Sequence, residues 1–238
     1  VRRLLSALAA TALAVTLLSG SSAAAQEADL MSGAPQVGEC HDVTLKQAYG
    51  KTLREEPVPC SADHTLKLVK IVHVPDGIDM SDTDAVNEAI PDCSPAAVGK
   101  DPLLRGLTLY SSFLFYPTKA QVKAGARWAS CHVGVWDTRG LNDLPDPLPR
   151  VTKRPADSVA RCANATKSQF VTCAEPHAYR ARAATFVRVR GSNAAVAETM
   201  SERGPAICAR RLGGRGFTHW FRVNRTKALL TCMAKTSR

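Results

Sequence analysis

Apolar and polar residues alternate through Leu66, Leu68, Lys70, Val72 and Val74. That period of two predicts a strand, and Pro75-Asp76-Gly77 supplies the turn that ends it. Two further apolar-rich runs, Leu107 to Tyr116 and Arg127 to Trp136, predict strands joined by a loop around 117–125. Between them and the first strand, Ser81-Asp82-Thr83-Asp84 has the form of a helix-opening box. Ala85, Val86, Ala89 and Ile90 then fall on one helical face, Pro91 breaks the helix, and a second helical piece runs from Cys93 to Gly99.

The same order returns later in the chain. Phe170 to Cys173 predicts a short strand and Tyr179 to Val189 a longer one with its arginines on the exposed side. Asn193 is placed to cap a helix through Val196 and Met200, interrupted at Gly204-Pro205. Phe217 to Val223 and Ala228 to Ala234 form a last strand pair around Asn224-Arg225. Cys60-Ser-Ala-Asp-His64 and Cys173-Ala-Glu-Pro-His177 open the two series at the same offset. A duplication follows: a module over 38–140, a Pro-dense linker over 141–155 read as a semi-rigid spacer, and a second module over 156–238, after a lead-in over 26–37. The expected fold class is α+β, two tandem small modules, each an antiparallel sheet with one broken helix.

The first twenty-five residues have another character. Arg2-Arg3, an apolar run from Leu4 to Leu18 and the small residues up to Ala25 have the order of a cleaved secretory signal peptide over 1–25. In an exported chain the eight cysteines read as a disulfide framework, since no C-x-x-C pair suggests a zinc knuckle or an exchange motif. The repeat order favours Cys40 with Cys60, Cys93 with Cys131, Cys162 with Cys173 and Cys208 with Cys232; crossed pairings stay open at this stage.

Charge divides the chain. Residues 26–150 carry 12 basic and 17 acidic side chains, whereas 151–238 carry 17 basic and 4 acidic, arginine predominating. Such asymmetry points to attraction between the halves or to an anionic partner for the second.

Among candidate chemistry, His64 and His177 stand first because they recur. A hydrogen bond to the turn after each disulfide explains them more economically than a metal, since the neighbouring sulfurs are spent. His41 and His132 follow cysteines directly, so strand alternation puts them on the opposite, exposed face. Arg210, Arg211 and Arg215, beside Gly213-Gly214, could cradle an anion or simply end a helix. Trp128, Trp136 and Trp220 read as core or rim anchors. Asp76, Asp79, Asp82 and Asp84 do not have calcium-loop spacing. No G-x-S-x-G, H-E-x-x-H or phosphate loop occurs.

At Gly38-Glu-Cys40, Pro59-Cys60-Ser-Ala-Asp-His64 and Trp128-Ala-Ser-Cys131 the first module resembles the septum formation family, and Cys173-Ala-Glu-Pro-His177 carries that family's Cys-x-x-Pro-His motif in the second. Asp63 stands where the motif has Pro, and Lys67 and Arg180 stand where the family pattern continues to Glu. The resemblance implies secreted or membrane-tethered domains of actinobacterial envelopes, associated with division or envelope growth. The expectation is a secreted, non-catalytic envelope binding protein without cofactor or metal. Its basic module would contact an anionic envelope polymer, a membrane surface or an acidic envelope protein, and no specific nucleic acid. The alternatives are an envelope-polymer hydrolase using His177 or Glu175, and a scaffold for division proteins.

Overall fold

A computed structural model describes residues 30–90, 93, 98–99, 101–214 and 216–236. The expected signal peptide, the beginning of the lead-in, Pro91, most of the helical piece after Cys93, and Arg215 lie outside the described residues.

The first copy contains β1 (Cys40–His41), α1 (Leu45–Ala48), β2 (Leu66–His73), α2 (Thr83–Ala89), α3 (Pro102–Arg105), β3 (Tyr110–Phe115), α4 (Lys119–Lys123), β4 (Trp128–Asp137) and β5 (Gly140–Asn142). Its antiparallel sheet has the order β1-β2-β4-β3, with β5 folded back on β4. The second copy contains β6 (Arg161–Ala163), β7 (Phe170–Thr172), β8 (Tyr179–Arg188), α5 (Asn193–Leu212), β9 (Gly216–Asn224) and β10 (Lys227–Lys235), in sheet order β7-β6-β8-β10-β9.

These are one sheet built twice. Cys40 pairs with Lys67 and Cys162 with Arg180, each partner three residues beyond the repeated His. Cys40 also bridges Val58, as Cys162 pairs with Val171. On the other side, Cys131 opposes Lys70 and Cys232 opposes Ala183, each six residues beyond that His. Even the bulge is duplicated: it skips Val69 opposite Cys131-His132, and Arg182 opposite Cys232-Met233. The disulfides are Cys40–Cys60, Cys93–Cys131, Cys162–Cys173 and Cys208–Cys232, all within a copy, and no described cysteine is free. Such a framework belongs to an oxidising environment. Among the described residues no helix is long and apolar enough to cross a membrane.

Local chemistry sets the helix ends. The box expected at Ser81 is displaced by one residue: Asp82 is the cap of α2 and accepts from the Asp84 and Ala85 N–H groups. The loop after β3 holds α4, opened by a capping box between Thr118 and Gln121. In the second copy Ser192, not Asn193, caps α5. Pro205 does not interrupt this helix, which runs unbroken for 20 residues to Gly213, left-handed at φ 65°. Tertiary contact overrides the proline. Val196, Met200, Gly204 and Cys208 recur every fourth residue and are all buried against the sheet. Gly204 lets the helix approach Thr218, whose Cγ2 lies 3.3 Å from where a Cβ would sit. Cys208 is tied to β10 by its disulfide.

The copies are not separated by a spacer. Leu107–Leu109 runs antiparallel to Val159–Arg161, with Leu109 N–H donating to Val159 O at 2.9 Å and Arg161 N–H to Leu107 O at 2.8 Å. One core cluster contains Leu109, Val133 and Val135 of the first copy together with Val159 of the second. The Pro-dense stretch supplies Leu144 and Val151 to that cluster. It is held by Leu144 N–H on His64 O at 2.8 Å and by the Tyr110 hydroxyl donating to Pro149 O at 2.9 Å. It is a strap along the first sheet, because its apolar residues between the prolines find a surface to bury. Arg139 adds ion pairs to Asp137 (3.0 Å) and to Glu175 across the boundary (3.5 Å).

Gly106 lies where the copies approach closely. A Cβ there would meet Ala184 Cβ at 2.9 Å and Thr231 Oγ1 at 3.0 Å. Gly106→Ala should therefore destabilise the protein by about 1–3 kcal/mol through overpacking. Urea unfolding would measure it, and an unchanged midpoint would show that the copies dock loosely.

Candidate functional site

The repeated histidines serve the turns. His64 Nδ1 donates to Ala62 O at 2.9 Å and His177 Nδ1 to Glu175 O at 2.7 Å, the same i−2 carbonyl in both copies. His64 is enclosed, while His177 is part-buried. The ring of His177 lies with Cys162 and Cys173 in a group spanning 4.8 Å, but both sulfurs belong to a disulfide and are not free thiolate ligands. Three residues beyond each His the basic side chain finds an aspartate: Lys67 Nζ on Asp146 at 2.6 Å, and Arg180 on Asp157 and on Pro155 O. The Lys67 bond holds the Asp146 carboxyl below its usual range.

Other expected features take structural positions. Asp76 pairs with Arg127 at 3.4 Å, and Asp79 accepts from Ser81 N–H and Oγ–H, which lowers its pKa. Arg210 and Arg211 are exposed on the last turn of α5, where cations suit the helix dipole. Arg211 donates to Thr185 Oγ1 at 3.2 Å. Nothing in the described contacts joins these arginines to His64 or His177.

His41 and His132 overturn the expectation of exposure. They are 3% and 0% exposed and meet edge to face with ring centroids 5.5 Å apart. Alternation fails here because nine of the ten residues of β4 are buried, so the strand is covered on both faces. Neither ring nitrogen of His132 has a hydrogen-bond partner among the described residues. Burial, reinforced by His41, pushes its pKa down to about 3.

The site that sequence reasoning missed is a cleft of about 800 Å³ between the copies. Tyr110 to Phe113 of β3, Trp136 and Asp137 of β4 and Thr138 just after it line it from the first copy. His219, Phe221 and Val223 of β9, with Phe186 and Leu229, line it from the second. Five large apolar side chains stay exposed among the described residues, and four of them border this cleft: Tyr49, Trp136, Phe221 and Val223. Tyr49 stands edge-on to both Phe113 and Trp136, at 6.1 and 6.4 Å. Water leaves such a surface readily when a partner covers it.

Arg161 enters the cleft beside these rings. Its guanidinium lies over Phe170 at 5.5 Å, and Phe170 packs on His219 at 4.3 Å. The Arg161 Nε is fully enclosed without an acceptor, and no carboxylate pairs with the side chain among the described residues. Desolvation pulls its pKa down to about 10; burial, then the Arg161 charge, pulls His219 down to about 4. A cation kept partly dry and unpaired favours an incoming anion. By contrast, the Asp137 carboxylate is committed to the Arg139 guanidinium and to the Arg139 and Gly140 N–H groups.

One signal for the cleft was present in the sequence. Phe217, Phe221 and Val223 alternate with Trp220, so the strand carries large apolar side chains on both faces. Trp220 packs under α5, which leaves the other face needing cover of its own. Of the tryptophans, Trp128 is buried with Nε1–H on Ser32 O at 3.1 Å, and Trp136 is the rim anchor. Compared with protein-family models, with curated proteins and with solved structures, the chain matches none.

Proposed function

We infer that this is an exported, non-catalytic binding protein of the cell envelope, and that the cleft between its copies is the binding surface. The observation that carries the reading is that, among the described residues, four of the five exposed large apolar side chains gather around one half-buried arginine without a carboxylate partner. The partner is anionic: the basic half supplies long-range attraction and Arg161 the short-range contact. The apolar start of the chain and its disulfides support export, and the paired Cys-x-x-x-His motifs support kinship with septum formation domains, hence a role near division or wall growth. Binding is favoured over turnover because, among the described residues, no hydroxyl donates to a histidine ring in the cleft and Asp137 is already satisfied.

The test is co-sedimentation of the mature protein with isolated wall fragments across a salt series. Retention should fall steeply toward molar salt as screening shortens the field. The double variant Trp136→Ala/Phe221→Ala should lower retention about tenfold at low salt, as loss of central aromatic anchors does elsewhere. Salt-independent retention, or retention untouched by the double variant, would overturn the reading.

A further inference from the structure

The first sheet ends on an open edge. Among the described residues β3 is its terminal strand, paired with β4 alone. The chain immediately before β3 already has an outer neighbour, Val159–Arg161, lying antiparallel to Leu107–Leu109. That neighbour is reached through a turn that begins at Asp157, so among the described residues no strand continues its lane beside β3. Its far end is reached at Tyr116, whose N–H donates to Lys51 O. Six residues of strand therefore border the lane, about 20 Å at the usual rise.

The ladder fixes which groups face it. Trp136 N–H donates to Leu109 O, and the register pairs Tyr110 with Val135 and Phe113 with His132. Ser111, Phe113 and Phe115 thus exchange bonds with β4, leaving Tyr110, Ser112 and Leu114 with N–H and C=O directed at the lane. Tyr110, Ser111, Ser112 and Phe113 line the cleft consecutively, as an edge facing it would. Across from them stand Phe221 and Val223; Val159 is the end of the neighbour nearest the lane, and Arg161, two residues further on and opposite Leu107, lines the same cleft.

We propose that the occupant of the cleft is an extended acidic segment of another protein, which adds to β3 as a further strand and seats a carboxylate on Arg161. Unpaired edge groups give the main-chain bonds, the exposed rings take alternate apolar side chains, and the guanidinium selects for acid. This rests on the cleft being the binding surface, and it narrows the anionic partner to a protein strand rather than a polymer or a lipid face.

The probe is an array of soluble octapeptides alternating glutamate with apolar residues, beside the same peptides with lysine for glutamate, their backbone N-methylated forms, and phosphatidylglycerol vesicles. Binding is read by tryptophan fluorescence and by amide NMR shifts of the whole mature protein. The acidic peptides should bind saturably, with shifts centred on Tyr110, Ser112 and Leu114. N-methylation, lysine replacement, Ser112→Pro and Arg161→Gln should each weaken binding about tenfold or more. Proline is tolerated on an edge strand, and Arg161→Gln removes an unpaired charge, so both variants should fold; circular dichroism and melting confirm it. Equal binding by N-methylated peptides or by Ser112→Pro would overturn strand addition. Preference for the vesicles, abolished by Trp136→Ala/Phe221→Ala, would overturn the peptide while leaving the cleft as a binding surface. Absence of any peptide binding, with wall retention still sensitive to that double variant, would do the same; loss of both effects would remove both readings.

Discussion

Replacing His132 by methionine should stabilise the protein at neutral pH and widen that advantage as the pH falls. The second copy suggests the substitution, because Met233 occupies the position that follows the equivalent disulfide cysteine and is wholly buried. At neutral pH the gain should be about 1 kcal/mol or more, since an enclosed ring with two unpartnered nitrogens is exchanged for an apolar side chain of similar size. The acid effect is larger. The folded protein holds His132 at a pKa of about 3, below the 6.5 of a free histidine. Its contribution is complete above pH 6.5. Below that the unfolded chain takes up a proton that the native state refuses, so stability is lost as pH falls from about 6.5 toward 3. Each pH unit in that window costs up to ~1.4 kcal/mol, on the order of 4 kcal/mol in all. Urea unfolding at pH 7 and pH 4.5 of parent and His132→Met isolates this group, because His219 and the carboxylates titrate in both. A stability difference that stays constant between the two pH values would mean that His132 is hydrated or protonated in the native state.

That histidine also marks where reading from sequence stops working. Period-two alternation located β2 and β8 to within a residue or two, because each keeps a recognisable inside and outside. The offsets of cysteine, histidine and proline revealed the duplication, and the disulfides join the cysteines in the order the repeat favours. A hydrogen bond from His64 and His177 to the turn after each disulfide was legible as well, being local. What escaped depends on contacts distant in the chain. His132 is buried because β1, α1 and β3 cover the face that alternation assigned to water. Leu107–Leu109 meets Val159–Arg161 across some fifty residues with no local motif to announce it, and the cleft exists only because that pairing sets the two sheets side by side. The same holds for Pro205: its local preference is to end a helix, and the packing of Val196, Met200 and Cys208 outweighs it.

Cys208→Ala/Cys232→Ala should lower stability by about 3–4 kcal/mol and loosen the last turns of α5 before the rest of the fold gives way. The bridge closes a sequence separation of 24 residues, and restricting that loop in the unfolded chain gives roughly 3.5 kcal/mol. A second contribution is local. Pro205 has no N–H for the carbonyl four residues earlier, and its ring crowds that carbonyl, a cost of about 3 kcal/mol in a helix interior. Beyond Pro205 the helix has only two turns, and Cys208 is the one buried side chain they contribute among those described. The disulfide therefore holds in place a segment that the proline would otherwise release. Hydrogen exchange should report this directly: in the cysteine variant, amides from Ile207 to Leu212 lose protection while those from Val196 to Met200 keep most of theirs. Pro205→Ala, at an exposed position, should restore protection to the final turns in the cysteine variant and raise the parent's stability by a smaller amount, because there the bridge already opposes fraying. Equal gains from Pro205→Ala in both backgrounds would mean that bridge and proline act independently. The helix would then be continuous for reasons other than its attachment to β10.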